Sequence, residues 1–309
     1  MHPVTSMKAS MKEVIVERIA IIGAGLIGGS LALALKQAGS VGEVVVWDQN
    51  PEHMTTAVAL GIADRTTLEL ADAVAGADVV VLALPVRCLP DVARRVIPCM
   101  RLDAILTDTG SVKGTVVAGI EPVARAAGIA YVPGHPISGT EKSGPQAAFA
   151  ELYRAKRCIL TPVDSTPAQA VAVISQLWRS AGSEVVLMDV LKHDRILAAI
   201  SHLPHMIAYA LVNSVSNYDQ YAENVLEYSA GGFLDFTRIA SSDPVMWRDI
   251  ALENRAAILE MLEQFETFLA ELKGDIAALD AERLEKFFRQ SKLSRDAIAS
   301  SRSGAAKGE

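Results

Sequence analysis

Residues 19–35, IAIIGAGLIGGSLALAL, run seventeen positions without a charge and carry glycines at 23, 25, 28 and 29. Two architectures absorb such a run: a membrane span, or a buried strand, turn and helix. A transmembrane helix needs about twenty apolar residues, and this run is shorter. Its glycines also fall in a functional order. Gly23, Gly25 and Gly28 form GxGxxG between a strand-like RIAII and a helix-like GSLALALKQAG. Gly23 permits a tight turn, Gly25 lets the backbone approach a pyrophosphate, and Gly28 lets helix and strand pack closely. With Leu26 and Ile27 between them, these positions are the expected cofactor contacts at a helix N-terminus.

The next strand-like run, EVVVWD, ends on Asp48, twenty positions beyond Gly28. A carboxylate there accepts hydrogen bonds from ribose hydroxyls and repels a 2′-phosphate, which favours NAD over NADP. The plainer reading of Asp48 is a turn residue in DQNP.

Further apolar runs at 77–85, 104–113, 129–136, 157–162 and 183–188 read as strands, with amphipathic stretches at 89–98 and 167–181 between them. From Asp189 the pattern turns helical, over 189–217, 219–230, 244–273 and 279–299. The expected organisation is a flexible leader (1–17), a Rossmann-type α/β dinucleotide-binding domain (18–188), an all-helical substrate and dimerisation domain (189–298) and a solvated tail (299–309). In the third helix Ile250, Leu252, Ala257, Ile258, Met261, Leu262, Phe265 and Phe268 recur at helical spacing, an apolar face wide enough to suggest a homodimer.

A net charge of −7 argues against nucleic-acid or anionic-membrane binding, whose footprint is basic. Cys88, Cys99 and Cys158 lack CxxC spacing and lie among apolar residues, so they read as buried thiols of a reducing cytoplasm. The leader has no apolar core of a signal peptide.

Four polar clusters remain. TDTGSVK places Ser111 and Lys113 after a strand. PGHPISGTEKSG holds His135, Ser138, Thr140 and Glu141 among turn residues; an imidazole there is poised to take a proton near neutral pH, with a structural histidine as the alternative. ISHLPH sets Ser201 and His205 four apart on one helical face, with Pro204 expected to kink the helix and free a carbonyl. His202 reads as a packed or surface histidine, and the spacing does not favour a metal site. SAGGFLDFTRIASSDPVMWRDI offers Gly231 and Gly232 for close backbone approach and Arg238 for a carboxylate, the bland alternative being an Asp235–Arg238 ion pair. Arg248 and Asp249 read as structural, and Trp247 as core or interface.

Taken in order, GAGLIGGS, DTGSVK, HPISGTEKSG, ISHLPH and GGFLDFTRIASSDPVMWRDI resemble the prephenate and arogenate (cyclohexadienyl) dehydrogenase family, over about residues 18–295. The resemblance implies oxidative decarboxylation of a cyclohexadienyl alcohol with NAD in tyrosine biosynthesis. It implies His135 as catalytic base and Ser111 as a hydrogen-bonding partner of that base and of the substrate hydroxyl. Arg238 is implied to hold a substrate carboxylate, Ser201, His205 and Gly231 to line the pocket, and Thr140 and Glu141 to lie near its mouth. No room is expected for a fused chorismate mutase or a regulatory ACT domain, so any tyrosine feedback is expected at the active site. The alternatives are an arogenate-specific enzyme, a β-hydroxyacid-type dehydrogenase using Lys192, and a non-catalytic NAD-binding regulator.

Overall fold

The computed structural model describes residues 14–219 and 224–305. The chain divides into two compact units, Met1–Ala257 and Ile258–Glu309. In the first, six parallel strands make a sheet of order β3-β2-β1-β4-β5-β6: β1 (Val16–Ile22), β2 (Val41–Trp47), β3 (Arg65–Thr66), β4 (Val79–Leu82), β5 (Ile105–Asp108) and β6 (Ala130–Val132). Helices α1 (Leu26–Ala38), α2 (Pro51–Ala59), α3 (Leu70–Val74), α4 (Leu89–Val96) and α5 (Gly114–Ala126) lie between successive strands.

The strands read as continuous apolar runs because both faces of the sheet are covered. Ile19, Ile21, Val44 and Val46 enter one core, and their neighbours Ala20, Ile22 and Val45 enter the other, all without exposed surface. The order reverses at β1, flanked by β2 and β4, so a crevice opens beyond its carboxyl end. Gly23 turns there with φ +110°, where a Cβ would lie 2.2 Å from the Ala83 carbonyl oxygen.

The run 129–136, expected as one strand, is two. Pro133 has no N–H with which to continue the ladder, and its carbonyl accepts instead from the Thr161 amide at 3.0 Å. The chain thereby leaves the first sheet and forms β7 (Gly134–Pro136), antiparallel to β8 (Arg157–Leu160), which runs parallel to β9 (Glu184–Leu187). This second, three-stranded sheet was not legible in the apolar pattern. Helix α6 (Ala168–Ser180) joins β8 to β9.

Asp189 starts the helical stretch by accepting from the amides of Leu191 and Lys192 at 2.9 and 3.0 Å. Helix α7 (Val190–Leu197), a π turn (Ala198–His202) and α8 (Leu203–Asp219) follow. Val190–Asp219 is long and apolar enough to cross a membrane by length and composition; it also carries the buried polar residues His193, Asp194 and His202. The helix expected over 219–230 gives way to a 3₁₀ turn at Val225–Tyr228 after Asn224 at φ 62°, and residues 220–223 lie outside the described residues. Helix α9 (Gly231–Thr237) follows, and the helix expected over 244–273 is interrupted at Asn254, between α10 (Pro244–Glu253) and α11 (Arg255–Ala277). The second unit comprises α11 from Ile258 onward and α12 (Ala281–Ala305). Thus part of the expected tail is helical, while residues 306–309, like 1–13 of the expected leader, lie outside the described residues; β1 already begins at Val16.

The thiols correct one expectation. Cys158 is buried on β8, but Cys88 and Cys99 are exposed. Both end 3₁₀ turns, where Val86, Leu89 and Ile97 take the inward positions.

Candidate active site

The GxGxxG turn has the form of a phosphate cradle. A Cβ on Gly28 would stand 2.1 Å from the Gly23 carbonyl oxygen, so only glycine permits this approach of helix to strand, whereas a Cβ on Gly25 would meet nothing within 4 Å. That open space faces the start of α1, whose first turn has no acidic residue and no side-chain cap. The amides around Leu26 and Ile27 therefore keep their donors for an anion. Asp48, at the end of β2, ties this turn down: one oxygen accepts from the Ala24 amide (2.8 Å), the other from the Asn50 amide (2.9 Å), with His53 at 3.3 Å. The oxygen bonded to Ala24 retains a lone pair for a further donor. Asp48 is thus the turn residue of the sequence reading, and that role leaves its carboxylate at the end of β2 beside the glycine turn.

His135 stands on β7, two residues beyond Pro133 where the chain leaves the first sheet. Its Nδ1 lies 2.8 Å from Nε2 of His193, and His193 Nδ1 lies 2.8 Å from Asp194 Oδ1. Among the described residues nothing bonds to His135 Nε2. Asp194 is anchored from two sides: its carboxylate accepts from the amides of Lys113 (2.8 Å) and Gly114 (2.7 Å) at the start of α5, and its carbonyl accepts from Asn254 Nδ2 (2.9 Å). Burial, then the neighbouring His193 and Lys113, hold His135 well below the usual imidazole range. It is neutral at neutral pH, as a base must be.

Beneath β7 lies a second buried centre. Asp108, ending β5, pairs with the Lys113 ammonium, both side chains fully buried. It also accepts from the Tyr131 hydroxyl (2.7 Å) and the Gly110 amide (2.7 Å). Lys113 donates onward to the Gly134 carbonyl at 2.6 Å, so the ion pair holds the peptide next to His135. Burial, then Asp108, push the Tyr131 phenol far above its ordinary range. Ser111 is half-buried in the same β5–α5 loop and makes no hydrogen bond to His135; the imidazole has His193 there instead.

The helices supply the rest. The wide π turn precedes Pro204, and the Ser201 carbonyl, rather than its side chain, accepts from His205 Nδ1 at 2.8 Å. His205 stacks on Trp247, ring centroids 3.7 Å apart. Burial, then the Arg238 charge against the opposing bond to Ser201, lowers its pKa. His202 is packed, as read from sequence: Asn254 Nδ2 donates to its Nδ1 at 3.1 Å, and burial lowers its pKa to about 4. Arg238 pairs across the chain with Glu141 at 3.5 Å, both well exposed, and not with Asp235. Thr140 is exposed and accepts from the Lys142 amide, Gly231 opens α9, and Lys192 is exposed. Among the described residues no three His, Cys, Asp or Glu side chains are grouped to hold a metal ion.

His193, Asp194 and Asp108 are the residues sequence reasoning did not single out. Asp108 lay inside the quoted TDTGSVK, but nothing local marks the 58 residues that separate His135 from His193 as a contact.

The family's nucleotide-binding domain, described as that of prephenate dehydrogenase, matches residues 31–187, and its dimerization domain matches 189–290. The chain belongs to the prephenate dehydrogenase family. It is an oxidoreductase that uses NAD, and its open Gly25 cradle and Asp48 suit that cofactor. Family relatives span nearly its whole length. A cyclohexadienyl dehydrogenase of Zymomonas mobilis is 42% identical over 283 residues, 91% of this chain and 96% of that one. Prephenate dehydrogenase of A. aeolicus, solved with hydroxyphenyl propionate and NAD+, is 37% identical with a TM-score of 0.86, covering 94% of this chain and 99% of that one. Synechocystis arogenate dehydrogenase is 26% identical with a TM-score of 0.76, covering 91% and 99%.

Proposed function

We propose that this prephenate dehydrogenase family member converts prephenate to 4-hydroxyphenylpyruvate and carbon dioxide, with His135 as the base. The observation that carries the reading is a neutral imidazole whose Nε2 is bare while its Nδ1 is held in the protein, at the carboxyl edge of a dinucleotide-binding sheet. NAD, when bound, supplies the acceptor for the hydride that leaves the carbinol carbon. His135 Nε2 takes the hydroxyl proton as that carbon is oxidised, a contribution of about 10²–10⁴-fold for a positioned base. Ser111, in the adjoining loop, is a donor for the same oxygen. Arg238 orients a substrate carboxylate with its planar fork, and Glu141 holds the fork in place until the substrate arrives. Ser201, His205 and Gly231 line the pocket, with Thr140 and Glu141 at its mouth. Loss of the ring carboxylate leaves an aromatic product, which draws the reaction forward.

The likeness to a cyclohexadienyl dehydrogenase favours arogenate as a second substrate, giving tyrosine. The exposed apolar side chains of the helical segment, among them Tyr228, Leu234, Phe236 and Val245, are the surface of a homodimer, checked by sedimentation. The enzyme is placed in the cytoplasm, where its cofactor and substrate are found.

Purified protein with NAD and prephenate, followed by NADH absorbance, tests the reading; arogenate and NADP complete the series. NADH formation with prephenate is expected. NAD binding without turnover on either substrate sinks the assignment and restores the regulator.

A further inference from the structure

The hydrogen bonds behind His135 determine which of its nitrogens carries a proton. The order is set at Asp194, whose carboxylate also receives two backbone N–H groups from the start of α5 and can only accept. His193 Nδ1, 2.8 Å away, therefore carries a proton and donates it. With Nδ1 protonated in a neutral ring, His193 Nε2 is a bare acceptor. His135 Nδ1, 2.8 Å from it, must then be the donor, which leaves the lone pair of His135 on Nε2. The two rings meet edge-on at 63° with centroids 5.1 Å apart, and His193 has no exposed surface that would admit water between them.

We propose that His193 and Asp194 are positioning residues for the reaction: through His193 Nε2 they fix His135 in the Nδ1–H tautomer and stabilise the imidazolium it becomes. The inference rests on the proposed role of His135. In the step concerned the substrate O–H bond breaks and an N–H bond forms at His135 Nε2; the Nδ1–H bond stays intact and its hydrogen bond to His193 strengthens as the ring becomes positive. No proton moves to His193. His135 is partly exposed, so it releases the acquired proton to water after product leaves.

Asp194 also holds the first turn of α5, so the test is made at His193. His193→Leu removes the acceptor; His193→Gln restores one, since its amide oxygen can accept from His135 while its NH₂ donates to Asp194. The expected result is a fall in kcat of about 10²-fold or more for His193→Leu, with KM and the NAD dissociation constant within about threefold, because a wrong tautomer removes the base without removing binding. His193→Gln is expected to recover at least about tenfold of that loss. Unchanged kcat in His193→Leu, or a His193→Gln enzyme no better than His193→Leu at equal melting temperature, overturns the proposal. Nitrogen-15 NMR of the wild-type histidine rings gives a reading independent of whether variants fold: a protonated Nδ1 and bare Nε2 on His135 is expected, and the reverse tautomer overturns it. His135→Asn separates the two levels. If it keeps turnover, the assignment of the base falls; if it abolishes turnover while His193→Leu does not, only the positioning role falls.

Discussion

The floor of the site and its mouth are built on opposite principles. The floor, between the end of β5, the start of β7 and the start of α5, is made of buried charges: Asp108 and Lys113 face each other with no exposed surface, and the largely buried Asp194 carboxylate accepts from two backbone amides. The mouth is made of groups in water, with Arg238 and Glu141 61% and 45% exposed and 3.5 Å apart. In a floor of this kind each group is held because removing its partner would strand a charge. At the mouth the same pairing is screened and exchangeable, which suits the role proposed for Arg238, giving up Glu141 for a substrate carboxylate. Under the proposed roles, position is guaranteed at the base and freedom is kept at the substrate-carboxylate arginine.

Lys113→Met breaks the floor most severely. It leaves Asp108 buried without its cation, and a loss of about 3–5 kcal/mol in stability is expected by urea denaturation; a loss under about 1 kcal/mol would mean that Tyr131 and Gly110 suffice to hold the carboxylate. His202 is next. Buried neutral with a pKa of about 4 against 6.5 in the unfolded chain, it contributes stability that is present above pH 6.5 and lost as pH falls toward 4, because the unfolded chain binds the proton first. The wild type should therefore lose about 3 kcal/mol more than His202→Gln across that window, read as the difference between two urea-midpoint series; parallel series would show that Asn254 holds His202 equally well charged. Arg238→Gln makes the smallest change to the protein itself. Its melting temperature should stay put while KM for prephenate rises about tenfold or more and kcat changes little; a fall in kcat with KM unmoved would transfer Arg238 from the mouth to the chemistry.

Legibility in the sequence followed the same division. What is local was readable: the glycine turn, Asp48 at the end of β2, and His135 in a Gly/Pro-rich segment, because strand periodicity and turn chemistry act over a few residues. The second sheet was not, since only the missing N–H of Pro133 separates β6 from β7 within one apolar run. The two exposed thiols were misjudged from their neighbours' hydrophobicity, which says nothing about which side of a 3₁₀ turn a residue occupies. His193 and Asp194 carried no local signal. They join the site only when the start of α7 is folded against the start of α5, about 80 residues away.

The π turn at Ala198–His202 has a consequence for how such a pocket can vary. One residue corresponds to about 100° of rotation in an α-helix, and a π turn is a helix that has taken in an extra residue without losing its continuity. Because the wider winding takes up the rotation that the extra residue would otherwise impose, deleting one residue there would return the segment to ordinary α winding with His205 still facing Trp247. The length of this segment can thus change by one residue at the π turn itself, with His193 and Asp194 on α7 and His205 on α8 keeping their facings.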